Sequence, residues 1–324
     1  AGGVVLSGHT DVVPTAGQDW VTDAFTLHEG KQGKLYGRGT ADMKGFIAVC
    51  LAYVPVFKAA ALKRPVHFAF TYDEEVGCLG IQAMLPHLRQ HCATPRLVVV
   101  GEPTSMQVAA AHKGQYVSHT RIIGREAHSS RPEDGVNAVV AASELIGVIM
   151  GYAAREREQG ARDDMFDPPY TSFNVGPIQG GSVFNIIPGV CEFDWEFRPV
   201  PGTDGQAIIE GYQHYLDEEL NPRLKAAGGE GCYAANNVWA YLPPLMATPG
   251  SDAETLAKML ANRNDTTVVA FGTEAGHFQS IDFPTVVCGP GDIAQAHKPD
   301  EFIQAGELLS CGAFMKRLAD VLSS

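Results

Sequence analysis

Short apolar runs alternate with helical stretches along the first third of the chain. Residues 4–6, 66–72 and 97–100 are rich in β-branched and aromatic side chains, which predicts buried strands. Residues 45–62 and 80–90, which lie between them, are expected to be helical. Strands that alternate with helices predict a doubly wound α/β sheet, whose binding sites lie at the carboxyl ends of the strands.

The pattern changes in the middle of the chain. Strands are predicted at residues 116–123, 173–178, 191–198 and 232–241, and helices at residues 135–154 and 203–220. The α/β pattern then resumes, with a helix at 251–261, a strand at 284–289 and a helix at 307–322. We therefore expect a first domain formed by residues 1–113 and 243–324, with an α+β domain of residues 114–242 inserted into it.

Composition narrows the possible partners. Of the 324 residues, 45% are hydrophobic and 19% are charged, as in ordinary globular proteins. The longest apolar stretches, residues 46–62 and 136–154, contain Lys58, Asn137 and Glu144, so buried helices explain them better than membrane spans. A net charge of −13 argues against a nucleic-acid partner, which would require a basic surface.

Seven cysteines are widely spaced, with no C-x-x-C pair. An odd number at such spacing indicates reduced thiols in a cytoplasmic protein and not a disulfide framework. Cys288 lies in an apolar run and is most simply a small core residue.

Polar side chains follow the predicted strands of the first domain. His9 and Asp11 lie two residues apart at a strand end, where their side chains could face the same way. A metal-binding histidine usually donates its other ring N–H to a carboxylate, which fixes the tautomer. The pair alone fits a surface histidine beside a turn aspartate equally well.

The glycine-rich segment at residues 37–45 surrounds Asp42 and precedes a predicted helix. The glycines suggest a close backbone approach to a bound group. Asp42 could also be the N-cap of the helix. A dinucleotide-binding loop is excluded, because the G-x-G-x-x-G spacing is not met and no strand directly precedes the segment.

Carboxylates recur after the next strands. Asp73, Glu74 and Glu75 follow one predicted strand, and Glu102 follows another. A solvated loop is the alternative for the first three, but like charges at a buried strand end are costly unless a cation or a shared proton compensates them. Two adjacent glutamates could also divide two roles, one as a metal ligand and the other in proton transfer. His297 follows a Gly/Pro-rich loop late in the chain.

Together these positions provide histidine and carboxylate ligands without thiolates. Such a set suits catalytic zinc, with manganese or cobalt as alternatives. Five ligands exceed the number that one tetrahedral ion with an open position needs. A carboxylate that bridges two ions accounts for the count.

The chain resembles the M20 family of metallopeptidases over essentially its whole length. The resemblance rests on eight motifs in the family's order: GHTDVVP, YGRGTADMKG, DEEVG, GEPT, GREAHSS, GGSVFNIIPG, FGTEAG and QAHKPDE. It implies a zinc-peptidase-like catalytic domain with an inserted domain that serves as a lid and a dimerisation surface. It also implies hydrolysis of a small N-acyl amino acid or a dipeptide by a homodimer with two zinc ions, Co²⁺ or Mn²⁺ being possible.

Carried over residue by residue, the resemblance implies a metal centre with one shared ligand. Asp42 would bridge two ions, of which His9 and Glu102 would complete one and Glu75 and His297 the other. Asp11 would orient His9, and Glu74 would be the general base. The resemblance also implies a cis peptide bond between Asp42 and Met43.

The resemblance also suggests substrate contacts. His128 would stabilise the oxyanion from the partner subunit, although its local sequence equally fits a loop histidine. Asn185 would contact the substrate near the scissile carbonyl. Arg198 would bind an α-carboxylate, or form a structural salt bridge instead. Glu274 could face a distal ammonium such as that of ornithine.

The sequence departs from the family at its start. The family normally has a leading helix and strand before the GHTD strand, and this sequence has neither. We therefore expect an apolar flank of the sheet where that strand and helix would pack. A metal-binding protein without catalysis is the remaining alternative from a different class, and the intact Glu74 argues against it.

Overall fold

A computed structural model describes residues 2–324, which divide into two compact units. The first comprises residues 2–113 and 242–324, and the second comprises Gly114–Tyr241. The second unit ends one residue earlier than the sequence predicted. Leu242 belongs to the first unit because it joins a hydrophobic cluster there with Leu245 and Phe278.

Fourteen strands are described. They are β1 (Val4–His9), β2 (His28–Glu29), β3 (Lys34–Tyr36), β4 (Val66–Thr71), β5 (Leu97–Pro103), β6 (Ala109–His112), β7 (Gln115–Ile123), β8 (Ser172–Gly180), β9 (Val190–Arg198), β10 (Tyr233–Leu242), β11 (Leu245–Met246), β12 (Thr267–Val269), β13 (Thr285–Gly289) and β14 (Phe302–Gln304). The strands that the sequence did not predict have two to four residues, too few to show a hydrophobic period.

Nine α-helices accompany these strands. They are α1 (Gly45–Ala52), α2 (Val54–Ala59), α3 (Leu79–His91), α4 (Ala138–Gln159), α5 (Gly205–Tyr215), α6 (Asn221–Gly228), α7 (Asp252–Ala261), α8 (Ala275–Gln279) and α9 (Ala305–Ser323). The single helix predicted at residues 45–62 is interrupted at Tyr53, directly before α2 and its Pro55. Wide helical turns occur at Thr40–Lys44 and Leu216–Leu220, and shorter ones at Lys31–Gly33, Pro132–Asp134 and Ile293–Gln295.

The central sheet of the first unit has the order β11-β6-β13-β5-β1-β4, with β12 paired to β6. Strands β13, β5, β1 and β4 are mutually parallel, whereas β6 runs antiparallel to β13. The sheet is therefore mixed, with a parallel centre that places four carboxyl ends along one edge. A separate small sheet has the order β14-β3-β2.

Both faces of this sheet are covered, as a doubly wound fold requires. On one face Leu6 and Val99 belong to a cluster that includes Phe46 of α1 and Phe314 of α9. On the other face the alternate strand residues join a cluster with Ile81 of α3 and Phe278 of α8. The predicted α/β fold class is confirmed.

Strand β1 lies inside this sheet and not at its flank. It pairs with β4 on one side and β5 on the other, and all six of its residues are buried. The sheet ends on this side at β4, where Phe68 is exposed.

The second unit contains a four-stranded sheet with the order β10-β7-β9-β8, in which β9 runs antiparallel to both β7 and β8. Its inner face carries the aromatic side chains of β9, which alternate in sequence as a half-buried strand requires. Trp195 and Phe197 share a hydrophobic cluster with Leu145 of α4 and Tyr212 of α5.

Two sequence expectations concern cysteines and membranes. All seven cysteines are free within residues 2–324. Two helical segments, Thr40–Ala59 and Ala138–Gln159, are long and apolar enough to cross a membrane by length and composition alone. Each also supplies side chains to a hydrophobic core, such as Phe46 and Leu145, so their apolar character has a structural reason within the fold.

Candidate metal centre

The carboxyl ends of three neighbouring strands bring the predicted ligands together. Strand β1 ends at His9, which is in register with Thr71 at the end of β4. Glu74 and Glu75 lie in the turn that follows β4. Strand β5, on the other side of β1, carries Glu102 near its end. Parallel strands thus place one histidine and several carboxylates along a single edge of the sheet.

Asp42 reaches this edge from a wide turn before α1. The turn begins after Gly39, whose φ of +81° is accessible mainly to glycine. The N-terminus of α1 has no side-chain cap within the described part of the chain, so the N-cap alternative for Asp42 is wrong. The peptide bond between Asp42 and Met43 is cis, as predicted.

The two oxygens of Asp42 belong to two separate groups of ligand atoms. Oδ1 lies 3.0 Å from Nε2 of His9, which lies 3.8 Å from Oε1 of Glu102. Oδ2 lies 3.0 Å from Nε2 of His297, which lies 3.2 Å from Oε2 of Glu75. In each group the three ligand atoms lie within 4.8 Å of one another. Either group could hold a metal ion, with Asp42 shared between them.

The carboxylates and histidines of the site raise one another's affinity for protons. Burial disfavours a charged imidazole at His9, but hydrogen bonds to Asp11 and Asp42 raise its pKa far above the usual value. Hydrogen bonds to Asp42 and Glu75 raise the pKa of His297 to about 10. Burial and the neighbouring Asp42 raise the pKa of Glu102. Cations at the two groups would replace these protons, so the donor set fits a pair of divalent metal ions.

Asp11 is held against His9. Nδ1 of His9 lies 3.1 Å from the backbone carbonyl oxygen of Asp11 and 3.5 Å from its Oδ1. The other carboxylate oxygen of Asp11 accepts a hydrogen bond of 3.1 Å from the backbone N–H of Glu75. Asp11 therefore orients His9 mainly through its carbonyl group and links β1 to the turn that carries Glu75.

Glu74 lies beside these groups without belonging to either. Its Oε1 accepts a hydrogen bond of 3.3 Å from the thiol of Cys78, which is fully buried. Burial raises the pKa of Glu74 to about 7, with Glu75 and Asp42 adding to the effect and His9 opposing it. A carboxylate with a pKa near 7 can accept a proton and return it at neutral pH.

Glu274 is buried below the same edge and is only 1% exposed. Its Oε2 accepts a hydrogen bond of 3.0 Å from Oγ1 of Thr71, and its Oε1 has no partner among the described residues. Burial, with a contribution from Glu74, raises its pKa to about 8. The neighbouring Thr273 is fixed by hydrogen bonds to His112 and to the N–H of Ala275, so this segment is rigidly held.

Peptidase family M20/M25/M40 provides a family model that matches residues 5–321. The chain belongs to that family. It is accordingly a metal-dependent hydrolase of the M20 type, and the metal-binding geometry of its first unit agrees with that assignment.

Several solved structures share the fold. A Saccharomyces cerevisiae dipeptidase is 17% identical and has a TM-score of 0.70, with 99% of this chain and 80% of that chain covered. A Sulfolobus solfataricus metallo-carboxypeptidase of the M20 family is 17% identical with a TM-score of 0.74, and the match covers 99% of this chain and 85% of that chain. A Bacillus subtilis dinuclear metal-binding peptidase of the M20 family is 15% identical with a TM-score of 0.62, covering 99% and 81%. At these identities the likeness is one of fold.

Three predicted site residues lie in the second unit. His128 and Asn185 are both exposed and lie on adjacent segments, since the N–H of Ser129 donates to the carbonyl oxygen of Asn185 over 3.0 Å. The ring of His128 contacts Oγ of Ser130 at 2.8 Å. Arg198, at the end of β9, contacts Glu196 through an Nη2–Oε2 distance of 3.2 Å. The salt-bridge alternative for Arg198 is therefore present in the structure.

Two residues that form hydrogen bonds to the site were given no role from the sequence. Cys78 was treated only as one of several reduced thiols, and Glu301 was quoted in the QAHKPDE motif without a role. The only signal for Cys78 was its place five residues after Asp73. The only signal for Glu301 was its acidic side chain four positions after His297. Neither spacing indicates which side chain meets which backbone group in the fold.

Proposed function

We propose that this chain is a two-metal amidohydrolase that removes the acetyl group of N2-acetyl-L-ornithine. The products would be ornithine and acetate, which places the reaction in arginine biosynthesis. The sharing of Asp42 between two groups of ligand atoms, with Glu74 beside them, carries the proposal. The motif resemblance, which is closest to acetylornithine deacetylase, supports the choice of substrate.

The ligands would divide into two sets. His9, Asp42 and Glu102 would hold one ion, and Asp42, Glu75 and His297 the other. Zinc is the proposed metal, because histidine and carboxylate ligands suit it in catalytic sites. When bound, two such ions supply Lewis acidity and lower the pKa of water toward about 7.

Glu74 would move the proton in this reaction. Its carboxylate would accept a proton from the attacking water and return it to the nitrogen of the leaving amine. The thiol of Cys78 donates a hydrogen bond to Oε1 of Glu74, and the proposed role requires Oε2 to face the water. Asp11 would keep the ring of His9 in place through the contact at Nδ1.

Substrate contacts are proposed for four further residues. By resemblance, His128 would stabilise the oxyanion, Asn185 would contact the scissile amide, and Arg198 would bind the α-carboxylate. Glu274 would attract the distal ammonium of ornithine, since its buried Oε1 has no partner among the described residues and a nearby cation would favour its charged form.

A dipeptidase is the second candidate. Relatives of the same fold include a dipeptidase and a metallo-carboxypeptidase, so the fold also serves peptide substrates.

For this chain we further propose a cytoplasmic homodimer, formed through the second unit, with no nucleic-acid or membrane partner.

The test is a comparison of kcat/KM on the metal-loaded protein. The panel contains N2-acetyl-L-ornithine, N-succinyl-diaminopimelate and an unblocked dipeptide. We expect the acetylated ornithine to give the highest value. If the succinyl compound or the dipeptide is preferred, the substrate assignment fails while the two-metal hydrolase remains. Loss of all activity on metal removal, with recovery on adding Zn²⁺, tests the metal requirement separately.

A further inference from the structure

Glu301 carries the most densely hydrogen-bonded carboxylate near the metal centre. It lies just before β14, four residues after His297, and is 1% exposed. Four N–H groups donate to it: Gly39 N at 3.0 Å, Ala41 N at 2.9 Å, Asp42 N at 3.1 Å and Arg38 Nη1 at 2.7 Å. A buried carboxylate is stable only when its oxygens are paired in this way.

Two of these donors, Ala41 and Asp42, belong to the backbone of the wide turn, and a third, Gly39, directly precedes it. The turn lacks a side-chain cap, so its first N–H groups depend on partners from elsewhere in the chain. Glu301 supplies those partners with both oxygens. The backbone is tied as well, because the N–H of Gly37 donates to the carbonyl oxygen of Glu301 over 2.9 Å.

The same network reaches the segment that carries His297. Nη2 of Arg38 donates to Oε1 of Gln18 over 2.5 Å, and Nε2 of Gln18 donates to the carbonyl oxygen of His297 over 2.9 Å. This holds His297 at a φ of +63°, which a side-chain-bearing residue adopts rarely. Glu301 and Gln18 thus join the two irregular segments that carry Asp42 and His297.

The remaining ligands are positioned differently. His9 and Glu102 lie on β1 and β5, adjacent strands inside the central sheet. Their backbone is fixed by strand pairing and does not depend on Glu301. Disturbing Glu301 should therefore affect the Asp42–Glu75–His297 group more than the His9–Asp42–Glu102 group.

We propose that Glu301 is a positioning residue, which holds Asp42 and His297 in place for the ion that they share with Glu75. This inference rests on the proposed metal centre but not on the proposed substrate. In the variant Glu301→Gln an NH₂ group must replace one of the two accepting oxygens. It would then face N–H donors of Gly39 and Arg38 or of Ala41 and Asp42, and their hydrogen bonds would be lost.

The experiment is a calorimetric titration of the metal-free protein with Co²⁺, followed in parallel by visible absorption. We expect the wild-type protein to bind two ions. In Glu301→Gln we expect one ion to bind nearly as in the wild type and the other about 10- to 100-fold more weakly, as is typical when a residue that supports a ligand is altered. No substrate is present, so the outcome does not depend on turnover.

Glu254→Gln is the matched control. Glu254 is also a buried carboxylate of the first unit, and it accepts hydrogen bonds from Gly250 N at 2.9 Å and Lys258 Nζ at 2.6 Å, outside the metal centre. We expect this variant to lose stability toward urea yet to bind both ions as the wild type does. If Glu254→Gln weakened metal binding as much as Glu301→Gln does, the role of Glu301 would be merely structural.

Two further outcomes would overturn the proposal. In the first, Glu301→Gln binds both ions as tightly as the wild type does. In the second, Glu301→Gln binds both ions equally weakly while Glu254→Gln binds them as the wild type does. If Glu301→Gln does not fold, Gln18→Ala tests the same network, because it removes the hydrogen bond to the carbonyl oxygen of His297 together with those that Gln18 accepts from Arg38 and Trp20, and leaves the carboxylate of Glu301 unchanged. We expect it to weaken one ion selectively, and unchanged binding of both ions would refute the proposal.

Discussion

Both histidines of the candidate metal centre lie beside carboxylates that raise their pKa, so a metal ion that binds there would have to displace their protons. In His9 both ring nitrogens face oxygen acceptors, Nε2 toward Asp42 at 3.0 Å and Nδ1 toward the carbonyl group of Asp11 at 3.1 Å. Both nitrogens can donate at once only in the imidazolium form. Nε2 of His297 lies between two carboxylates, and its pKa is raised to about 10.

The number of displaced protons follows from these groups. The raised pKa values of both histidines favour their protonated forms at pH 7, and each ring must lose one proton before its nitrogen can bind an ion. Glu102, whose pKa burial and Asp42 raise, adds a third proton if it enters as a carboxylic acid. We therefore expect the binding of two ions to release about two to three protons. With two protons released, the product of the two affinities should rise about a hundredfold for each pH unit.

Calorimetry in buffers of different ionisation enthalpy measures this number directly. Zn²⁺ is titrated into the metal-free protein at pH 7 in Pipes, Hepes and Tris, with titrations into buffer alone as controls. The slope of the observed enthalpy against the ionisation enthalpy of the buffer, taken without its negative sign, is the number of protons released. A slope below one would show that the histidines are neutral in the metal-free protein, and the charge balance inferred for the site would be wrong.

Three further changes test other parts of the structure. Glu74→Gln should retain both metal ions and lower kcat by about 10²- to 10⁴-fold, the usual contribution of a general base, and kinetics with metal analysis would expose a wrong assignment if turnover survives. Gly101→Ala would place a methyl group 2.2 Å from the ring of the buried Phe46, so we expect urea denaturation to show a loss of about 1–3 kcal/mol in unfolding free energy; an unchanged midpoint would contradict this packing. The raised pKa of His297 adds stability that is complete below its unfolded value of about 6.5 and is lost as the pH rises through about 10. The thermal midpoint of the metal-free protein should therefore fall over that range, whereas a pH-independent midpoint, or an equal slope with saturating Zn²⁺, would argue against the ion pairs.

Much of the fold follows from local pattern. Strands β1, β4 and β5 contain apolar, β-branched and aromatic runs that only a buried sheet accommodates, and the alternation in β9 indicates a sheet with one covered face. Helix–strand alternation then predicts two covered faces and places polar residues at the strand ends. His9, Glu75 and Glu102 were accessible to sequence reasoning for this reason, because they closely follow such runs, whereas Asp42 and His297 lie in a glycine-rich segment and after a Gly/Pro-rich loop.

Details of the helices and short strands depend on context beyond the local pattern. The apolar stretch from Gly45 has no clear break in hydrophobicity, yet α1 ends at Ala52 and α2 begins at Val54. The strands of the small sheet, such as β3 with three residues, form because partners distant in the chain complete their hydrogen bonds. Periodicity contains no information about those partners.

The sequence by itself determined the set of metal-binding residue types, their order and the strands that precede them. Whether Asp42 capped a helix or joined two ligand groups depended on how its turn packs against β1 and the segment of His297. The burial of Glu274, the contact of Cys78 with Glu74 and the four hydrogen bonds of Glu301 likewise join residues that are distant in sequence or follow no local rule. Such contacts arise only when the strands align and desolvate the edge of the sheet, because a side chain's charge and partners depend on its surroundings in space and not on its neighbours in sequence.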